Sequence, residues 1–381
     1  MKRFALILLS LLLTICSCVT VSAKESEENN YAEELSENLQ VNDLYSHLPD
    51  EVKSALHDLG INKVQADEIA SVRFSDSLKL VSKIAKDQSL AVFASLSVII
   101  AVILLYALVE GFLQSMTSTT MQEVLSVVCT LCIGCALVLP ITDVIDSADE
   151  AVQVSSEFMM IFVPVMVAVL VSCGKALSGS GYYSMMIFTA EGIAQLTSKI
   201  ITPSLNVFLG VSLCTTIVPS LKLDSLTDLF SKTIKWLLSF SFTIFSALLT
   251  FRTLITTSID NVSTRAVRFT MSSFIPVVGA ALSEAYKTVQ GSVLILKNGI
   301  GVFVILAVAI VFLPIVLRLL LWSFALNFCK TISEILGVTV PCRLLKSMST
   351  VLSVLLAVVL CVMALFVIST ALIITVGGNS L

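Results

Sequence analysis

The sequence predicts an all-α fold: a polytopic helical membrane protein of about seven or eight spans, some broken, behind a small N-terminal extracytoplasmic helical domain. Two observations carry that prediction. Residues 24–88 hold seven basic and fourteen acidic side chains, whereas the much longer stretch 89–381 holds only fourteen and thirteen. The chain as a whole is 56% hydrophobic with a mean hydropathy of +0.98. A water-soluble core of that composition would lack the polar surface to cover itself.

The first element is a signal peptide over residues 1–23. Met1-Lys2-Arg3 is a basic start, Phe4 to Ile15 is an apolar run shorter than a spanning helix, and Val21-Ser22-Ala23 places small residues ahead of a cleavage point before Lys24. Export puts the acidic segment 24–88 outside the cytoplasm. Within it, Pro49-Asp50-Glu51 opens a helix and Gly60 closes it. Val52, Leu56 and Leu59 recur at i, i+4 and i+7, a single apolar stripe. So small a segment has too little apolar content to fold strongly alone. The stripe is therefore its candidate docking surface, against the membrane domain or a partner.

The polytopic domain, residues 89–381, reads as successive apolar blocks. Ser89–Leu113, Val124–Ile141, Glu157–Cys173, Trp236–Phe251, Ile300–Trp322 and Met348–Val376 approach or exceed the roughly 17–25 residues that cross a bilayer. Two stretches are less regular. Tyr182–Pro219 is interrupted at Pro203, and Phe269–Lys297 at Pro276 and Gly279. These three residues are the expected helix breaks. Between the second and third blocks, Thr142–Ser156 carries Asp143, Asp146, Asp149 and Glu150 and reads as an external loop. Lys175, Lys199, Arg252, Arg265, Arg268 and the basic segment from Arg318 to Lys346 are then expected on the cytoplasmic side.

Ionisable residues inside spans are costly, so they mark candidate functional positions. Glu191, Gln195 and Lys199 fall on one helical face, and Glu284 and Lys287 on another, each beside an expected break. They are the candidate polar path, in the manner of interrupted transporter helices. The other reading places them at the membrane interface, facing headgroups. No Walker or zinc-protease pattern occurs, and Ser178-Gly179-Ser180-Gly181 suits a turn rather than a nucleophile elbow. Cys129, Cys132 and Cys135 have no His or carboxylate in their block to complete a metal site, and read as packing residues. No catalytic residue, metal, cofactor or nucleic-acid partner is expected. Gly299-Ile300-Gly301 reads as close helix packing.

The stretch Thr264-Arg265-Ala266-Val267-Arg268-Phe269-Thr270, followed by Ser273-Phe274-Ile275-Pro276-Val277-Val278-Gly279, Leu282-Ser283-Glu284-Ala285 and Leu296-Lys297-Asn298-Gly299-Ile300-Gly301, resembles the stage III sporulation protein AE family. The likeness extends across the chain and is most specific over residues 264–301. It implies an operon-encoded complex in the mother-cell membrane that engulfs the forespore, including an ATPase-like subunit and joined indirectly to a forespore membrane protein. By resemblance, the chain would be a subunit of a secretion-like channel between the two cells. The alternative is a stand-alone secondary transporter using the polar residues of its broken helices.

Overall fold

A computed structural model describes residues 36, 41, 43–64, 68, 72, 74–114, 119–217, 224–274 and 279–375. Residues 1–23, the expected signal peptide, lie outside the described residues, as does Pro276. The described chain is helical: α1 (Asp43–Ser46), α2 (Asp50–Asp58), α3 (Phe74–Gln114), α4 (Thr119–Ser172), α5 (Ala176–Leu196), a π-helical turn (Thr197–Ile201), α6 (Thr202–Ile217), α7 (Asp224–Phe274), α8 (Gly279–Ile335) and α9 (Thr339–Thr375). No strand occurs among the described residues.

Six helices among the described residues are long and apolar enough to cross a membrane, with α5, the π turn and α6 acting as one rod. That confirms a polytopic helical protein and corrects the expected span number. One excess span came from Phe269–Lys297, whose described residues belong to the end of α7 and the start of α8, and the other from α4, a single helix of 54 residues. It joins the blocks Val124–Ile141 and Glu157–Cys173 without a turn. The stretch 142–156 is therefore helix interior, not an external loop. It holds neither Gly nor Pro, and its acids occupy one face while Val144, Ile145, Ala148 and Val152 are buried on the other. At 1.5 Å per residue α4 is about 81 Å long, well over the ~30 Å of a hydrocarbon core.

The six rods alternate in direction. α8 and α9 form the central hairpin; α3 and α4 flank α8, and α7 flanks α9. α5 packs on α4 and α7. Burial follows that arrangement: 61% of the most apolar window is buried in α8 and in α9, but 17% in α7. The α4–α5 turn, the C-terminal part of α7, the start of α8 and the end of α9 lie at one end, beside α1 and α2. The end of α6, the start of α7 and the α8–α9 turn lie at the other. Lys175 and Lys330 therefore sit at opposite ends, so the expectation that both face the cytoplasm does not hold. The acidic loop on which it depended is not a loop.

Three helices stop in the same way. Gly60, Gly174 and Gly337 have φ of 82°, 74° and 70°, a region open to glycine without strain. After Gly174 the Lys175 N–H donates to Leu170 O at 2.9 Å, and after Gly337 the Val338 N–H donates to Ser333 O at 3.0 Å. These bonds satisfy carbonyls that the helix ends would leave open.

The N-terminal helices rest on the bundle. Val52, Leu56 and Leu59 are 6%, 0% and 9% exposed. α2 packs on α3 and α8, and the Tyr45 ring lies 6.5 Å from that of Phe303. Burial first, and the charge of Glu68 second, raise the Tyr45 phenol above its ordinary value. Lys83 of α3 pairs with Asp58 at 2.7 Å. α3 itself runs unbroken through residues 88 and 89, where composition had divided the chain into an acidic segment and an apolar one.

Candidate functional site

The rod α5–π–α6 has the lowest mean hydropathy of the six, 1.2 over its best window. Pro203 explains its irregularity. Proline donates no N–H, and its ring would strike the carbonyl four residues back. The preceding turn widens instead: Thr202 N–H donates to Thr197 O, five residues away, and the rod continues. Pro203 thus marks a π turn, and the chain does not reverse there.

This rod carries a polar ladder on its outer face. The Gln195 amide donates from Nε2 to Glu191 Oε1 at 2.6 Å and accepts at Oε1 from Lys199 Nζ at 3.3 Å. One amide bridges two opposite charges, which suits its paired donor and acceptor. All three side chains are exposed, while Ile193 and Thr197 between them turn inward and are buried. Phe188, one turn away, is 79% exposed. The ladder therefore faces away from the bundle interior. Against hydrocarbon each charge would cost about 2.5–3.5 kcal/mol on insertion scales, offset in part by the bridging amide.

A second polar cluster is buried where three helix ends converge. Lys175, at the N-cap position of α5, makes no side-chain cap bond. Asp260 of α7 supplies the cap instead, accepting from the backbone N–H of Ser178 at 2.7 Å and of Leu177 at 3.3 Å. Its carboxylate also complements the positive end of the α5 dipole. Beside it, Lys175 donates to Asn261 Oδ1. Gln290 Nε2 of α8 donates to Cys173 O at 3.1 Å, at the C-terminus of α4. Lys297 Nζ of α8 donates to Ile374 O at 2.7 Å, in the last turn of α9. Lys175, Asp260 and Lys297 are 2%, 5% and 1% exposed. Gly301 permits the last contact, since a Cβ there would collide with the Ile374 side chain. This agrees with the packing role read from Gly299-Ile300-Gly301.

Farther along the bundle, Arg318 of α8 pairs with Asp143 and donates to Ser147 Oγ at 3.2 Å, tying α8 to the acidic face of α4. Sequence reasoning missed the helix-end cluster and this pair. The signal was there for two of them: Lys297 and Arg318 follow apolar runs as isolated charges, whereas Asp260 is one polar residue among the Ser, Thr and Asn of 256–265. Their partners lie scores of residues away, which spacing rules do not reach.

The structure brings Glu191, Gln195 and Lys199 together as expected from their spacing. Glu284 and Lys287 lie near the start of α8, with side chains outside the described residues, and Gly279 is the first residue of α8. Cys129 is buried, whereas Cys132 and Cys135 are exposed.

Comparison with known proteins adds the family. The sequence profile of stage III sporulation protein AE matches residues 61–377. This chain belongs to that family. Within the stage III sporulation protein AE family, it is similar to the Bacillus subtilis (strain 168) protein of that name, 26% identical over 235 residues. The match covers 61% of this chain and 59% of that protein, so it spans about three fifths of its curated relative's length. No solved structure matches the chain. The family match begins at Ile61, beyond α2, and takes in all six long helices and both polar clusters.

Proposed function

We propose that this chain is an integral-membrane component of a multi-subunit channel or secretion-like conduit that links mother cell and forespore and is required for endospore development. Family membership supports the sporulation role. The observation that carries the conduit reading is the outward ladder Glu191–Gln195–Lys199, on a rod of membrane-spanning length. A protein working alone would turn those charges into lipid; a subunit of an assembly turns them toward its neighbours. The outward direction also weighs against the stand-alone transporter, which needs its polar residues lining an internal path.

In this reading the chain sits in the mother-cell membrane around the forespore. Other proteins of the same operon are its partners, with an ATPase-like subunit among them as the source of energy. A forespore membrane protein completes the link across the intermembrane space. The signal pattern of residues 1–23 supports an extracytoplasmic N-terminal domain. Lys232, Lys235, Lys330, Arg343 and Lys346 then lie toward the opposite, cytoplasmic end, and Lys175, Arg265 and Lys297 toward the outer one, so the orientation rests on the signal pattern and not on the distribution of cations.

Chemical cross-linking of membranes from sporulating cells, with the linked chains identified by mass spectrometry, tests the reading. Links from this chain to several other operon products are expected. Links only within the chain or between its own copies would contradict it.

A further inference from the structure

On the reading that the protein works in an assembly, we infer that the outer face of α5–π–α6 is the docking surface for a membrane helix of a different protein. That helix carries a cation or hydrogen-bond donor level with Glu191 and a carboxylate or acceptor level with Lys199. The first support is the ladder, whose charges stand eight residues apart, about 12 Å at the α-helical rise. The second is Gly192 and Gly210, both exposed on the same rod, where a Cβ would meet nothing within 4 Å. Packing within the chain does not require glycine at either place. A neighbouring helix does, because small residues let backbones approach closely in the membrane.

Charge order selects the occupant. In a dimer about an axis along the membrane normal, two copies of the ladder run in the same direction. Glu191 would then face Glu191 and Lys199 would face Lys199, and like charges in apposition disfavour pairing. A different chain with the inverse order satisfies both ends. The Gln195 bridge meanwhile limits the cost of insertion before the partner arrives.

The test reverses the ladder. The double variant Glu191→Lys/Lys199→Glu keeps a Gln195-bridged pair but presents the opposite order to a partner. Gly192→Leu and Gly210→Leu fill open space while leaving the chain's own packing untouched, and leucine is the better helix former. Each variant replaces the native protein in sporulating cells. Membrane-inserted protein, particle size in mild detergent and heat-resistant spore count are measured. Normal insertion is expected in all three, with recovery of the large particle reduced about tenfold or more by the reversal, the factor that ~1.4 kcal/mol of lost pairing gives. The glycine variants should lose the particle in the same way.

An intact large particle in both the reversal and the glycine variants would overturn the docking face and leave the assembly reading standing. Loss in the glycine variants with a normal reversal would overturn the choice of partner, because two copies of one chain tolerate a reversal made in both. A native protein found only as a single chain would overturn the assembly reading itself, and the docking face with it.

Discussion

Asp260 and Lys297 are single charges that close helix ends in other parts of the chain. Asp260→Ala removes the acceptor for the N–H groups of Leu177 and Ser178, and an unpaired buried donor costs about 1–3 kcal/mol. Its thermal unfolding in detergent should fall accordingly, while Asp260→Asn, which keeps an acceptor oxygen, should lose less. Equal losses in the two variants would mean that the negative charge, not the hydrogen bond, is what α5 needs. Gly301→Val should displace Ile374 and weaken the bond from Lys297 to its carbonyl. Added volume in a packed contact costs about 1–3 kcal/mol, and increased proteolysis of the α9 end would report it. Gly60 was legible as a helix stop because it follows a short amphipathic run. Gly174 and Gly337 were hidden by the apolar residues around them, which look alike in a span and in the turn that ends one.

At the scale of elements, α4 carries the main lesson. Four acids in fifteen residues look like a solvated loop, and a loop divides α4 into two spans. The decisive signs were the missing Gly and Pro and the i, i+4 recurrence of Val144, Ala148 and Val152, all buried. Charge density outweighed periodicity in that reading because the cation answering Asp143 is Arg318, on α8. Ala148→Pro tests the continuous helix. In a loop it would be tolerated; inside α4 it costs about 3 kcal/mol or more, and the amount of folded protein in the membrane should drop sharply. Pro203 teaches the complementary point. Its irregularity was legible, but whether proline ends a helix or is absorbed by a π turn depends on packing along the whole rod.

At the scale of the molecule, the sequence made the helical membrane class plain, because composition alone excludes a soluble core. The polar faces of α5 and α8 were legible as stripes, but not which way they point. Spacing fixes a face of a helix, whereas only the neighbouring helices decide whether that face is inside or outside. The Val52–Leu56–Leu59 stripe shows the same limit, since it is buried within the chain and not open to a partner. Leu56→Asp should therefore unseat α2 from the bundle by placing an unpaired charge at a buried position. Faster proteolysis near residue 60 in the purified protein would report it, and unchanged cleavage would mean that the stripe does not hold the domain. Orientation is tested in a background without native cysteines. A cysteine at Ser54 should react with an impermeant thiol reagent applied from outside, and one at Lys346 should not; the reverse pattern would invert the assignment.

The central claim is that this protein is one part of an assembly, and the size of the particle that contains it tests that claim most directly. The chain is 41.0 kDa. Extracted in mild detergent from sporulating cells, it should migrate in a particle several times that mass, with other operon proteins present; made alone in a non-sporulating host, it should migrate as a small particle. The same small particle from both sources, free of other proteins, would contradict the account.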